Sequence, residues 1–478
     1  MGILSYQPTF KGRRRPLLFA FLGVFCLFTV WLSQTDYTTS LSRSSYSPEK
    51  PSIDTASTTK PNSSITQHDA SNVDDSNDCR NAPGASDVHI VLKVGINEIY
   101  EKLPPQLLTL LSCAPSYTVY SDVAQTIHGT PIYDSIASIN SSFKNTQPEF
   151  AYYHTVNALH ADGQDIAAVV DKTEEGDKRA GWKLDKWKFL SSYKESYAKA
   201  PKAKWYFFME PDTAVIWPNL LTWTRRLNPD REIYSGSQNS HGGVTFAHGG
   251  SGVLVSKAAM QRLMDEYDKM QDEWWLNVAA GCCGDVEMAR NFLDVGISMT
   301  ASFPLIQGER LGTIDWNERH MCTPSVSWHH VNTREILDLW ELMMAWVKEH
   351  GWEKPLMFRD IFSMYVEKHV RERRDDWDNI SDDWKYVKPK DEMEETWAEL
   401  DELEKKAVES FEDCRSACSA IPTCRQFKWK VGECYLGENI RVGTVKTDSN
   451  ISSGWLLERV KEFGKVYEDC EPNWEFNQ

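Results

Sequence analysis

Positive charge is what this chain is short of. Its 478 residues carry 52 Lys and Arg against 69 Asp and Glu, a formal net charge of -17, which excludes nucleic-acid phosphate as a natural partner. No internal repeat is visible, which leaves out solenoid and propeller arrays. No C-x-x-C pair recurs with zinc-ribbon spacing and the histidines are not interleaved with the cysteines, so structural zinc is disfavoured. The cysteines that follow Cys26 are Cys79, Cys113, Cys282, Cys283, Cys322, Cys414, Cys418, Cys424, Cys434 and Cys470, an even set suited to disulfides in an oxidising compartment. The length accommodates one large domain and a smaller one.

The N-terminus supplies the matching address. Lys11, Arg13, Arg14 and Arg15 precede the uncharged run "PLLFAFLGVFCLFTVWL" from Pro16 to Leu32. As a helix rising ~1.5 Å per residue it is roughly 25 Å long, enough for a thin early-secretory bilayer. A basic flank stays cytosolic, so residues 1–15 read as a cytosolic tail, 16–32 as a signal anchor, and the C-terminal bulk as lumenal. A cleaved signal peptide is the alternative, but the run exceeds the usual apolar core and "LSQTDY" is a poor cleavage site. Residues 33–80 are rich in Ser, Thr, Asp and Asn with scarcely an aromatic; they cannot bury a core and read as a stem. Asn62, Asn140, Asn379 and Asn450 each open an N-x-S/T sequon.

After the stem, "DVHIVLKVG" (Asp87 to Gly95) predicts a first strand, "QLLTLLSCAP" a short helix and "YTVYSD" (Tyr117 to Asp122) a second strand, an order that suggests a parallel sheet. "GWKLDKWKFLSSYKESYAKA" has helical spacing and leads into "KWYFFMEPDT", an aromatic run that stops at Glu210 and Asp212. In open α/β sheets, ligands gather at the carboxyl ends of such strands, so those acids stand where a ligand sits. Further on, "KDEMEETWAELDELEKKAVESFEDC" places Met393, Trp397, Leu400 and Leu403 on one face of a predicted helix. "CRSACSAIPTCRQFKWKVGECYLGENIRVG" then reads as a small disulfide-stapled module, too small to hold well on core burial alone.

Four stretches stand in order: "MEPDT"; "FAHGGSGVLVSKAAM" (Phe246 to Met260), whose glycines allow close backbone approach; "GCCGDVEMARNFLDVGI" (Gly281 to Ile297); and "SVSWHHVN" (Ser325 to Asn332). Together they resemble the inverting β1,3-glycosyltransferases that include the fringe and core 1 galactosyltransferase enzymes (glycosyltransferase family 31), most closely their fungal type II membrane relatives. The resemblance covers roughly residues 87–346, and the cysteine module resembles a PAN/apple domain. It implies an α/β fold of GT-A, Rossmann-like type over residues 81–400, an apple-like α+β module with a C-terminal tail over 407–478, and Golgi or ER membrane residence. It also implies manganese, a UDP-sugar donor, galactose as first choice, a glycan or glycoprotein acceptor and inversion at the anomeric carbon. A homodimer is compatible with this.

The resemblance carries over residue by residue. Glu210-Pro211-Asp212 matches the acidic D-x-D-like motif, with Asp212 the better metal ligand because Glu210 departs from the commonest pattern. Gly249 and Gly250 match the glycine-rich segment beside the nucleotide-sugar, Asp285 matches the catalytic aspartate, and His329 in "SWHHV" the histidine ligand, with His330 in reserve. A departing diphosphate builds negative charge, so a hard cation held by oxygen ligands and an imidazole suits the chemistry. Lys93 and Asp122 fall where strand ends would border the uridine; Lys183 and Lys186 could reach the diphosphate; Trp274 and Trp275 could stack on a sugar or belong to the core. Each single residue also has an ordinary role as turn, cap or solvated face.

Cys414 and Cys418 lie one helical turn apart and face the same side, which predicts bridges Cys414–Cys434 and Cys418–Cys424. Cys79–Cys113 and a bridge from Cys282 or Cys283 to Cys322 are expected as well, leaving Cys470 unassigned. The competing class is a catalytically inactive, membrane-anchored binding protein that works through the apple-like module.

Overall fold

The computed structural model describes residues 79–166, 180–389 and 397–475. The anchor at 16–32, the stem apart from its last residues, and Asn62 lie outside the described residues.

An eight-stranded mixed sheet organises the main domain. Its strands are β1 (Val88–Lys93), β2 (Tyr117–Ser121), β3 (Gln125–Ile127), β4 (Thr130–Asp134), β5 (Trp205–Met209), β7 (Tyr234–Gly236), β10 (Val253–Ser256) and β11 (Thr300–Ala301), in the order β11-β7-β10-β5-β1-β2-β4-β3. Between these in the chain come β6 (Ala214–Val215), the hairpin β8 (Gln238–His241) and β9 (Val244–Ala247), and later β12 (Ser327–Trp328). The strands β5, β1, β2 and β4 are parallel as the sequence suggests, whereas β10 runs antiparallel to β5 and β7, and β3 antiparallel to β4. The sheet is thus Rossmann-like at its centre and mixed at its flanks.

The aromatic run of β5 is buried on both sides. Trp205, Phe207 and Met209 face a core shared with Ile90, Leu92, Leu220 and Leu339, while Tyr206 and Phe208 face a second core with Val91, Leu190, Leu263 and Phe292. A strand covered on both faces has no need of polar alternation, which is why it reads as a continuous apolar run. The Trp217–Arg226 and Thr333–His350 helices cover the first face; the Lys188–Lys199, Lys257–Ala280 and Gly284–Asp294 helices cover the second.

The C-terminal module is a five-stranded antiparallel sheet beside the Phe411–Ala420 helix, stapled by Cys414–Cys434 and Cys418–Cys424 as expected. Its sheet recruits Arg374–Asp375 and Trp384–Val387, so the module's structure starts upstream of residue 407. It is not a detached bead: the described residues form one compact unit, and Arg441 ion-pairs with Asp315 of the main domain. The long helix expected around Trp397 is interrupted, because Asp401 and Glu404 form a capping box that starts a new short helix at Glu402–Lys406; Met393 lies outside the described residues.

The Cys79–Cys113 bridge forms as predicted, but two expectations are corrected. Cys282 bonds its neighbour Cys283, and Cys322 bonds Cys470, whose segment also lies against Cys322 through the Asn473 amide, which donates to the Cys322 carbonyl at 2.7 Å. Asn379 is corrected as a glycan acceptor. It is 0% exposed, and its amide nitrogen donates to the carbonyls of Phe427 and Gly454. Asn140 and Asn450 are exposed.

Candidate functional site

β1, β2 and β5 end side by side, with Lys93 in register with Tyr120 and Leu92 with Met209. Their carboxyl ends therefore deliver Lys93, Asp122 and Glu210 to one rim of the sheet, where Lys93 and Glu210 line a cavity of about 600 Å³.

A row of alternating charges runs beneath this rim. Asp122 pairs with Lys188 Nζ at 2.7 Å, Lys188 with Asp185 at 3.5 Å, Asp185 with Lys93 at 2.5 Å, and Lys93 with Glu210 at 3.0 Å. Lys188 and Asp122 are only 1% and 0% exposed at their side chains, so the pair offsets the desolvation of burying either charge alone. Burial opposes the charge on Lys93, but Asp185 and Glu210 outweigh it and hold its pKa above the ordinary lysine value. Burial likewise opposes ionised Glu210, and the Lys93 ammonium outweighs it, leaving that carboxyl below its usual range. Asp122 is corrected as a nucleotide contact. Its second oxygen accepts from the Ile96 amide at 2.8 Å, so both oxygens serve the interior.

A second wall rises where β6 pairs antiparallel with β12, matching Val215 to Ser327 and Ala214 to Trp328. This pairing, with the Val331 amide donating to the Asp212 carbonyl at 3.1 Å, brings "PDT" and "HHV" together although more than a hundred residues separate them in sequence. Asp212, His329 and His330 each offer a ligand atom, all within 4.8 Å of one another. His329 Nε2 lies 3.7 Å from Asp212 Oδ1. Burial, reinforced by His330, lowers the His329 pKa to about 4, so the imidazole is neutral at physiological pH, the form that ligates metals. His330, at φ 56° in the left-handed region, stacks on His329 with ring centroids 3.7 Å apart. The reserve candidate thus joins the cluster, while Glu210 stays with Lys93 and outside it.

The donor set fits a divalent cation. It combines one carboxylate with two imidazoles, and His329 Nδ1 is a buried polar atom without a hydrogen-bond partner. The His329 ring also occupies the space a Cβ would take at Gly250. Gly250 therefore makes room for a side chain of the protein, and the Gly249 amide donates to Asp285 Oδ2 at 3.2 Å, so that amide is not free for a nucleotide as expected. Thr213 Oγ1 donates to the Gly250 carbonyl at 2.7 Å and Ser327 Oγ to the Ser251 carbonyl at 2.6 Å, tying the glycine turn to the segments that carry Asp212 and His329.

Across the cavity stands Asp285, in the first turn of the Gly284–Asp294 helix. Cys283 is the N-cap, so Asp285 is not the cap itself; its Oδ1 accepts from the Val286 amide at 2.9 Å. Burial raises its pKa above the ordinary aspartate value against the pull of the Gly249 amide. Glu287, next along, is tied to Arg290 at 3.0 Å.

Lys186 is corrected as a diphosphate contact for a packing reason, and the alternatives left open for the two tryptophans are resolved. Lys186 Nζ donates to the carbonyls of Ala279 and Gly281, both at 3.1 Å, and pairs with Glu149 at 2.9 Å, so its donors are used and none is left for a diphosphate. Trp274 and Trp275 are buried, with their indole nitrogens donating to Asp294 and to the Tyr267 hydroxyl, so they are core and not a sugar platform. Lys183 is exposed.

Sequence reasoning missed His248, whose ring lies 5.0 Å from His329 and whose Nδ1 is 2.9 Å from Ser251 Oγ. It also missed Lys102, whose Nζ reaches Asp212 Oδ2 at 3.4 Å, and Asp185, the hub of the charge row. His248 directly precedes the glycine pair and was open to notice there; Lys102 and Asp185 sit among ordinary helix charges, with no local signal. No protein-family model matches the chain, and no curated protein matches it.

Proposed function

We propose that the chain is an inverting, metal-dependent glycosyltransferase of GT-A type. It moves a hexose, galactose first among the candidates, from a UDP-sugar to a glycan or glycoprotein hydroxyl in a β1,3 linkage, as a type II protein of the Golgi or ER membrane. The observation that carries this reading is the meeting of the Asp212–His329–His330 cluster and the half-buried Asp285 in one cavity at the carboxyl ends of parallel strands.

Asp212, His329 and His330 are the residues to hold manganese. When bound, the cation supplies positive charge that offsets the charge developing on the departing diphosphate. The remaining roles belong to the chain. Lys93 keeps Glu210 ionised and fixed at the cavity floor, away from the cluster. Asp285 accepts the proton of the acceptor hydroxyl as that oxygen bonds to the anomeric carbon and the bond from that carbon to the UDP oxygen breaks. Its two backbone donors leave further lone pairs on both oxygens, and a burial-raised pKa makes it a stronger base than a solvated aspartate.

The deciding experiment is a donor screen with the purified full-length chain. Incubation with UDP-galactose, UDP-glucose and UDP-N-acetylglucosamine plus manganese should release UDP from at least one, and chelator should stop it. Release from none of them, at protein shown to be folded, would sink the reading and favour a binding protein.

A further inference from the structure

We infer that the Cys282–Cys283 disulfide is a positioning element for the Asp285 carboxylate, an inference that rests on reading Asp285 as the base. Bridges stabilise a fold chiefly by shortening the loops of the unfolded chain, an effect that grows with the length of chain enclosed. Cys322–Cys470 spans 148 positions and Cys79–Cys113 spans 34, whereas Cys282–Cys283 spans 1. A bridge between neighbours closes almost no loop, so it does little for global stability. Its effect is local: it closes a small ring around a single peptide bond and removes the rotations beside it.

That bond lies in the turn between the Lys257–Ala280 and Gly284–Asp294 helices, and everything else in the turn is already pinned. Upstream, buried Lys186 holds the carbonyls of Ala279 and Gly281. A Cβ at Gly281 would meet the Glu287 carboxyl, and one at Gly284 would meet the Phe189 ring. Downstream, the Gly249 amide grips Asp285 Oδ2. Cys283 is held on its helix side, where its carbonyl accepts from the Glu287 amide at 3.2 Å, and the disulfide restrains the remaining link through Cys282. Both cysteines line the same cavity as Asp285, and Cys282 is the exposed cysteine among the described disulfides. As a dithiol, the turn would regain two rotors immediately before the helix that aims the carboxylate into the cavity.

The test compares the full-length chain with its Cys282→Ser/Cys283→Ser double variant by hydrogen–deuterium exchange. The peptides to follow contain the Gly249 and Val286 amides, the two donors to Asp285. Loss of positioning should speed their exchange by about tenfold or more while the melting temperature stays within about 2 °C. Transfer should fall by about tenfold to a hundredfold in kcat, with manganese-dependent UDP affinity unchanged. Unchanged exchange at these amides would overturn the inference, as would a general rise in exchange with a lowered melting temperature, the mark of a fold staple. Reducing the wild type with tris(carboxyethyl)phosphine until Cys282 can be alkylated, then reoxidising an unalkylated sample, should reproduce and reverse the exchange change. A wild type that moves no sugar would remove the assignment of Asp285 as base, while the exchange comparison would still decide whether the disulfide positions that carboxylate.

Discussion

The two walls of the cavity are built on opposite plans. The wall of Asp212, His329 and His330 is made by strand pairing: β6 against β12, with Thr213 and Ser327 fastening the glycine turn behind it. The wall that carries Asp285 is made by a turn, held by Lys186, glycines with no room for a side chain, and a disulfide between neighbours. The first plan assembles ligand atoms from segments remote in sequence and leaves them open to one another. The second fixes one carboxylate. On the function proposed for it, binding charge and moving a proton place different demands on a structure, and the two walls would meet them by different means.

The sharpest way to break this comparison is a pair of variants. Asp285→Asn should lower transfer on the order of a hundredfold or more and leave UDP and manganese affinity intact. Asp212→Asn should weaken manganese-dependent UDP binding on the order of a hundredfold, with folding stability changed by about 1 kcal/mol or less. Equal effects of both variants on UDP affinity would mean that the two walls do not divide the work. Lys186→Met is next. It leaves half-buried Glu149 without its cation and the carbonyls of Ala279 and Gly281 without their donor, and should cost on the order of 3 kcal/mol of stability, measured by denaturant titration, while UDP affinity in the folded protein stays within about twofold. A large loss of UDP affinity would restore Lys186 as a diphosphate ligand. Between the histidines, His329→Ala should raise the manganese concentration for half activity more than His330→Ala does, since His329 is buried beside Gly250 and His330 is exposed.

Much of the first plan was legible in the sequence. The apolar runs of β1, β2 and β5 announced buried strands, and the acids after β5 marked a strand end that opens on a cavity, because strand burial and strand polarity are local properties. Cys414 and Cys418 likewise showed their pairing through helical spacing. The second plan was not legible. Nothing in "KLDKWK" distinguishes a lysine on a wet helix face from Lys186, whose donors meet two carbonyls and a carboxylate from other parts of the chain. Asp122 was read as a ligand-facing strand end, yet buried Lys188 claims it, and no spacing rule could announce that partner. The spacing expects one of Cys282 or Cys283 to bond Cys322, yet the two bond each other and Cys322 bonds Cys470, a pairing of segments that only the fold brings together.

The smallest expected effect lies away from both walls and serves as their control. His89 on β1 is buried between Ser116 and Thr118, and burial lowers its pKa to about 4 from an unfolded value of 6.5. Between those two values the unfolded chain takes up a proton that the folded one refuses, so stability is full above pH 6.5 and falls as the pH drops toward 4. The total loss is on the order of 3 kcal/mol at most. His89→Gln should flatten the pH dependence of denaturant unfolding in that window without altering UDP affinity. An unchanged slope would show that His89 is not the titrating group.

The central claim is that the strand-paired wall binds a nucleoside diphosphate through a divalent cation. Calorimetric titration of UDP into the full-length chain tests it directly, once with manganese and once with chelator. The account predicts binding with manganese, none with chelator, and loss of the manganese-dependent signal in Asp212→Asn. UDP binding of equal strength with chelator, or no binding in manganese by folded protein, would contradict it.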